Sequence, residues 1–191
     1  MIVGDKARFA IESGITNAYE RVGVLALGFF VLYVGGRRYG VYSPDATTLG
    51  CSVEEVGRRI ADRGKHTAPF ASEPDAGKIA DAVRLAVYAP DQELQSYFGM
   101  PQPEFRKLFY TTSADRLWSP SDEAFDDGSH VIQFDIQDDV RLIAFKSTLG
   151  YIHDQGSLSE VWLSAEEYYS ILKCWGDAFD SEWQATPKVL E

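Results

Sequence analysis

Val22-Gly23-Val24-Leu25-Ala26-Leu27-Gly28-Phe29-Phe30-Val31-Leu32-Tyr33-Val34 carries no charge and no proline. Gly35-Gly36 follows, then Arg37-Arg38-Tyr39-Gly40-Val41-Tyr42. Two glycines at the centre of a two-residue loop can both take positive φ, which the tight primed hairpin turns require. The stretch therefore reads as a β-hairpin with Val34 opposite Arg37. That register sets Leu32 against Tyr39 and Phe30 against Val41 on one face. It sets Tyr33 against Arg38 and Phe29 against Tyr42 on the other. A first strand apolar on both faces belongs at the centre of a sheet with both faces at least partly covered. A membrane helix is the alternative, but it needs about 20 apolar residues. This run is shorter and ends in Gly-Gly-Arg-Arg.

Outward from the hairpin, Ala7 to Ile11 alternates and predicts a short strand with Phe9 and Ile11 on one face. Ser13-Gly14-Ile15-Thr16-Asn17 has turn composition, and Ser43-Pro44-Asp45 breaks the hairpin. Ser52-Val53-Glu54-Glu55 reads as a capping box that opens a helix. Val53, Val56, Gly57, Ile60 and Ala61 would be its apolar stripe, and Gly64 its end. Ser72-Glu73-Pro74-Asp75 opens a second helix, with Ile79, Ala82, Val83, Ala86 and Val87 buried, closed by Ala89-Pro90. Residues 90–121 hold Pro90, Pro101, Pro103 and Pro120 among many aromatics. They read as short packed segments of low regularity and not as a linker.

From Ser129 the period is two again. Ile132, Phe134 and Ile136 face one way, and Val131, Gln133 and Asp135 the other. A three-residue loop, Gln137-Asp138-Asp139, would set Phe134 against Leu142 and Asp135 against Arg141 as an ion pair. Leu158 to Leu163 predicts a further strand. Ser164-Ala165-Glu166-Glu167 is a second capping box, ahead of Tyr168, Ile171, Leu172, Trp175, Ala178 and Phe179 at helical spacing. Strands, two helices, strands and a helix predict an α+β fold, a mostly antiparallel sheet with helices packed on one face. The 191 residues suit a single domain over 1–191.

Hydrophobic residues make up 45% of the chain and aromatics 13%, which excludes a disordered protein. The opening residues lack the pattern of a signal peptide and no transmembrane segment is found, so the cytoplasm is expected. Cys51 and Cys174 match no metal or redox spacing and are expected to be buried free thiols. Net charge is −11. Residues 1–100 hold 11 basic and 12 acidic residues, and residues 101–191 hold 7 and 17. An acidic surface repels phosphate, which argues against nucleic acid as a direct ligand. It favours fast encounter with a basic partner, although it also simply aids solubility.

Phosphate-loop, nucleophile-elbow and zinc-helix motifs are absent, and nothing implies a cofactor. Asp126-Asp127-Gly128-Ser129-His130, with Asp135 nearby and His153-Asp154 further on, is the nearest approach to a metal cluster. A metal-dependent hydrolase using Asp126, Asp127, His130 and Asp135 is therefore the alternative functional reading. A polar turn leading into a strand explains the same residues. Arg58-Arg59, with Arg63 and Lys65, reads as a solvated helix face. From Leu117 to Val140 stand Asp122, Glu123, Asp126, Asp127, Asp135, Asp138 and Asp139, with no Lys or Arg. Asp154, Glu160, Glu166 and Glu167 follow, interleaved with Phe125, Trp162 and Tyr169. Acids for steering and exposed aromatics for anchoring are what a protein-binding face needs. The acids Glu166 and Glu167 are read as helix capping. A structural subunit of a larger assembly is a third reading.

Ile2-Val3-Gly4-Asp5-Lys6-x-Arg8-Phe9-Ala10-Ile11-Glu12, then the hairpin Phe29 to Gly40, then Thr47-Thr48-Leu49 follow a distinctive order. Over these first fifty residues the chain resembles bacterial immunity protein family forty-two, from polymorphic-toxin and contact-dependent growth-inhibition systems. The resemblance implies a cytoplasmic antidote that binds the toxin domain delivered by a neighbouring cell, with no catalytic residues of its own. The partner expected is a cognate toxin C-terminal domain, a basic nuclease whose cleft an acidic face could cover. The contact residues expected are Asp122, Glu123, Asp126, Asp127, Asp138, Asp139 and Asp154.

Overall fold

The computed structural model describes residues 1–21, 23–88, 95–110, 116–118, 123–147 and 152–189. Its strands and helices run β1 Ile2–Gly4, β2 Phe9–Ala18, β3 Ala26–Val34, β4 Arg37–Tyr39, β5 Thr47–Thr48, α1 Leu49–Ala61 and α2 Ala76–Tyr88. They continue with β6 Ser96–Tyr97, β7 Met100–Pro101, α3 Gln102–Tyr110, β8 Ser129–Ile136, β9 Asp139–Lys146, β10 Ser159–Ser164 and α4 Ala165–Ala185. The fold is α+β and its strand pairs are antiparallel.

The hairpin forms in the expected register: Leu32 faces Tyr39, Tyr33 faces Arg38 and Val34 faces Arg37. Gly35 and Gly36 both take positive φ, 57° and 83°. β3 is central, pairing with β2, β4 and β5. Phe30, Leu32 and Val34 join the main core. The ladder stops before Val41, whose amide donates to Ala124 O instead. β3 also starts later than the apolar run does, because residues 23–25 turn and Leu25 adopts a φ of 52°. The stretch read as a turn, Ser13 to Asn17, is the second half of β2, with a register shift between Ile15 and Asn17. Gly14 belongs there for a packing reason, since a Cβ would lie 2.6 Å from the Phe29 ring.

β8, β9 and β10 form a separate three-stranded sheet. Its loop has two residues, not three: Ile136 faces Asp139, Phe134 faces Arg141 and Asp135 faces Val140. Gln137 supplies the positive φ, 54°, that a primed two-residue turn needs at its first position. One residue of register exchanges the faces of β9 relative to β8, so the expected Asp135–Arg141 pair does not exist. Val131, Val140, Leu142 and Ala144 face the main core. Ile132, Phe134, Ile143 and Phe145 face a second core built with Ile79, Val83 and Ala86 of α2 and Phe105 and Phe109 of α3. The outward side of β8 is also bonded: Trp118 N donates to Val131 O, Gln133 N to Arg116 O, and Asp135 N to His66 O.

α1 and α4 cover one face of the large sheet; Leu49, Val56, Tyr168, Leu172, Trp175 and Phe179 enter its core. Ser164 caps α4 as expected, accepting the Glu167 amide at 3.2 Å. The first capping box does not form. α1 begins at Leu49 after Thr48, so Ser52 and Glu55 lie inside the helix, buried at 0% and 3% exposure. The stripe is out of phase with the sequence reading: Gly57, Ile60 and Ala61 are exposed, while Ser52, Glu55 and Arg59 face inward. α2 starts at Ala76, later than expected, so Pro74 lies before the helix and not in its first turn; Asp75 Oδ1 accepts from Lys78 N at 3.2 Å, and the expected closure at Ala89-Pro90 lies outside the described residues. Among the described residues of 90–121 the regular pieces are the β6–β7 hairpin and α3. Both cysteines are free, but both are exposed and not buried.

Candidate functional site

The acidic candidates divide between the two ends of β8. The seven residue-to-residue steps of β8, at about 3.3 Å each, separate those ends by roughly 23 Å. At the far end, Asp138 and Asp139 are exposed at the β8–β9 turn, and Asp138 O accepts the amide of Ala165. α4 therefore begins there and brings Glu166 and Glu167, which pair with Arg63 and Arg8. At the near end lie Glu123, Asp126, Asp127 and Asp154, all exposed. Lys146 Nζ is 2.6 Å from Asp127 Oδ2 and Lys146 O accepts the Asp154 amide. Burial raises the Asp127 pKa, but the Lys146 and Ser129 hydrogen bonds outweigh it and hold the carboxyl below its ordinary value. Asp154 also caps the short turn at Gln155–Ser157 through Gly156 N. Asp122 lies outside the described residues.

The aromatics expected between these acids behave differently from one another. Phe125 and Tyr169 are buried, at 7% and 5% exposure, and belong to the main core. Trp162 is 43% exposed, and its Nε1 donates to Glu160 at 2.9 Å.

The four-residue metal set is not assembled. His130 and Asp135 are five residues apart on one strand and so face opposite sides. Among the described residues no group of three His, Cys, Asp or Glu side chains could hold a metal ion. His130 stacks on Phe145, and its Nε2 lies 3.4 Å from Arg84 Nη1. Burial, and then the Arg84 charge, lower its pKa from 6.5 to about 4. The folded state therefore favours neutral imidazole. The stability this adds is complete above pH 6.5 and lost as pH falls toward about 4,. The loss expected over that window is about 3 kcal/mol, at 1.36 kcal/mol per pKa unit. Urea midpoints of wild type and His130→Phe between pH 7 and pH 4 check it, since the variant should lose the decline. The Asp135 carboxyl acts in a lower window, below its ordinary value of 3.8.

A buried polar network beneath α1 and α4 was not legible in the sequence. Gln133, fully buried, accepts from Arg59 Nη1 at 2.9 Å and from Tyr168 OH at 2.7 Å. Its amide donates to Asp135 Oδ1 at 3.2 Å and Tyr169 OH at 2.9 Å. Asp135 Oδ2 accepts from Gly64 N at 2.8 Å and His66 N at 3.1 Å, and sits 2.8 Å from His66 Nδ1. Tyr169 OH donates to Asp135 at 2.9 Å. Arg59, read as part of a solvated face, is 1% exposed and lies 4.3 Å above the Trp118 ring. The network ties α1, α4, β8 and the loop after α1 together. Gln133, Asp135, Tyr168 and Tyr169 find their hydrogen-bond partners inside the protein, whereas Arg59 Nε and Nη2 are buried without one among the described residues; the network is read as structural.

The described residues thus form an antiparallel α+β scaffold with charged, exposed ends and a buried polar network. The family model for immunity protein 42 matches residues 1–178, and the chain belongs to that family; its role is that of an immunity protein. No curated protein matches it. Among solved structures it is similar to CdiI from Burkholderia dolosa AUO158, at 19% identity and a TM-score of 0.58, over 95% of this chain and 99% of that one. That likeness concerns the fold.

Proposed function

We propose that the protein binds one cognate toxin domain, the C-terminal part of a protein delivered by a neighbouring cell in contact-dependent growth inhibition. It covers the toxin's active site with an acidic surface, as a plug with no chemistry or cofactor of its own. The toxin is a basic nuclease and the encounter takes place in the cytoplasm, without direct contact to nucleic acid or membrane. The observation that carries this is the charge distribution of a member of an immunity family. Residues 101–191 hold 17 acids against 7 bases, and a potential of one sign steers a partner of the other. No described helix is long and apolar enough to cross a membrane.

The separation of the two acidic ends makes the reading testable. Glu123→Lys/Asp126→Lys reverses two exposed acids at the near end, and Asp138→Lys/Asp139→Lys two at the far end. Binding of the toxin domain encoded beside this gene is measured by calorimetry at several salt concentrations. The near-end pair is expected to weaken binding at least about tenfold, or 1.4 kcal/mol, with affinity falling as salt rises. The far-end pair is expected to change it less. Salt-independent binding, or no loss in either pair, would overturn the acidic-face reading.

A further inference from the structure

A polar cleft of about 380 Å³ opens between the start of α2 and the segment after β9. Asp75, Lys78, Asp81, His153 and Gln155 line it, with Leu158 as an apolar wall. Its chemistry is set by one pair. Asp81 Oδ1 accepts the backbone N–H of His153 at 3.0 Å and lies 2.6 Å from the ring Nδ1. In the imidazole tautomer that carries its proton on Nδ1, facing the carboxylate, Nε2 is the acceptor. The ring is 93% buried, its side chain only 7% exposed. Its Cε1–Nε2 edge is turned to Gly77, another residue of the cleft wall. A Cβ there would sit 3.4 Å from Cε1 and 3.7 Å from Nε2, so glycine keeps that edge open.

The remaining groups are mostly acceptors as well. Asp75 uses Oδ1 to cap α2. Among the described residues, Asp75 Oδ2, Asp81 Oδ2 and His153 Nε2 take no hydrogen bond. Lys78, the one cation lining the cleft, leans out toward Glu73, at 3.9 Å. Two carboxylates against one lysine leave a surplus negative charge. A bare metal ion does not suit this lining, since no three ligand side chains converge within the described residues. A planar cation with several N–H donors does. Guanidinium presents five donors in a fixed fork and pairs with carboxylates in bidentate fashion.

We propose that this cleft is a socket for one arginine side chain of the protein partner. Asp81 and Asp75 take the charge, His153 Nε2 accepts one N–H, and Leu158 packs on the methylene stem. The inference rests on the reading that this end of the molecule meets a basic protein. Asp154 follows His153 in the chain, and its backbone bond to Lys146 places it beside Asp127.

The first test needs no toxin. Labelled protein is titrated with N-acetyl-arginine amide and, separately, with the neutral isostere N-acetyl-citrulline amide, while the His153 ring signals are followed by NMR. The arginine probe is expected to shift them saturably and to bind at least tenfold tighter than citrulline. Asp81→Asn, which keeps the shape, and Gly77→Val, which closes the ring edge, should each weaken it at least fivefold. Equal response to both probes, or no response, overturns the socket. The second test measures the neighbouring-gene toxin domain against wild type and the same two variants. Equal binding by all three overturns the socket while the acidic-face reading stands. No binding by wild type fails that reading instead, and the probe titration still decides the cleft.

Discussion

Arg59→Met is expected to lower the free energy of unfolding by about 3–5 kcal/mol, the range for breaking one side of a buried ion pair. The guanidinium is 1% exposed and Glu55, one helical turn earlier, is 3% exposed. Nη2 lies 2.7 Å from Glu55 Oε1 but off the line of a good hydrogen bond, so the contact is mainly Coulombic. Nη1 holds Gln133, and the plane stacks on Trp118. Methionine fills much of the same volume, so little of the loss is a cavity. What remains is an acid deep in α1 held, among the described residues, by Arg58, whose side chain is 54% exposed. Adding Glu55→Gln removes that stranded charge and should restore part of the stability. Urea denaturation of the single and double variants gives both numbers. A loss under about 1 kcal/mol for the single variant would show that water already reaches the pair.

The second large effect is expected at the other end of the same network. Asp135→Leu should cost about 3–5 kcal/mol, because one carboxylate there serves two backbone amides, the His66 ring, Tyr169 and Gln133. Leucine strands all of them in a layer closed to solvent. Burial raises the Asp135 pKa, but the His66 and Tyr169 interactions outweigh it and hold the carboxyl below 3.8. Burial, and then the same carboxylate, drive the Tyr169 hydroxyl well above its ordinary value of 10.0. The sign follows: the folded state binds the Asp135 proton less readily than the unfolded chain does. Its contribution is therefore present above 3.8 and is lost as pH falls through the lower folded value. Asp135→Asn keeps the volume and should cost less than Leu. Equal stability of the leucine variant and wild type, by thermal and urea unfolding at pH 7, would contradict the role assigned to the network.

Those two residues also mark where the sequence stops being readable. The central hairpin was legible because Gly35-Gly36 permits one tight turn and the flanking residues alternate correctly on both sides of it. α4 was legible because Ser164 and a clean apolar stripe agree. α1 was not, because its inward face is Ser52, Glu55 and Arg59, and an amphipathic pattern assigns such residues to water. The β8–β9 register was missed because glutamine does not announce a positive φ, and one residue of slip moved Asp135 from Arg141 to His66. The acids of the candidate surface were visible as a count, but their placement was not: composition along the chain cannot say that Asp126 and Asp138 stand at opposite ends of a strand. The cleft was beyond reach for a similar reason, since Asp81 and His153 are 72 residues apart and meet only through the packing of α2 against β9.

The bonded outer side of β8 carries a consequence for recognition. A ladder whose free amides and carbonyls are already taken by Arg116, Trp118 and His66 offers no template for strand addition. A partner cannot extend the small sheet there, and neither can another copy of the chain. Recognition along that flank falls to side chains, since the backbone there has no free edge to offer.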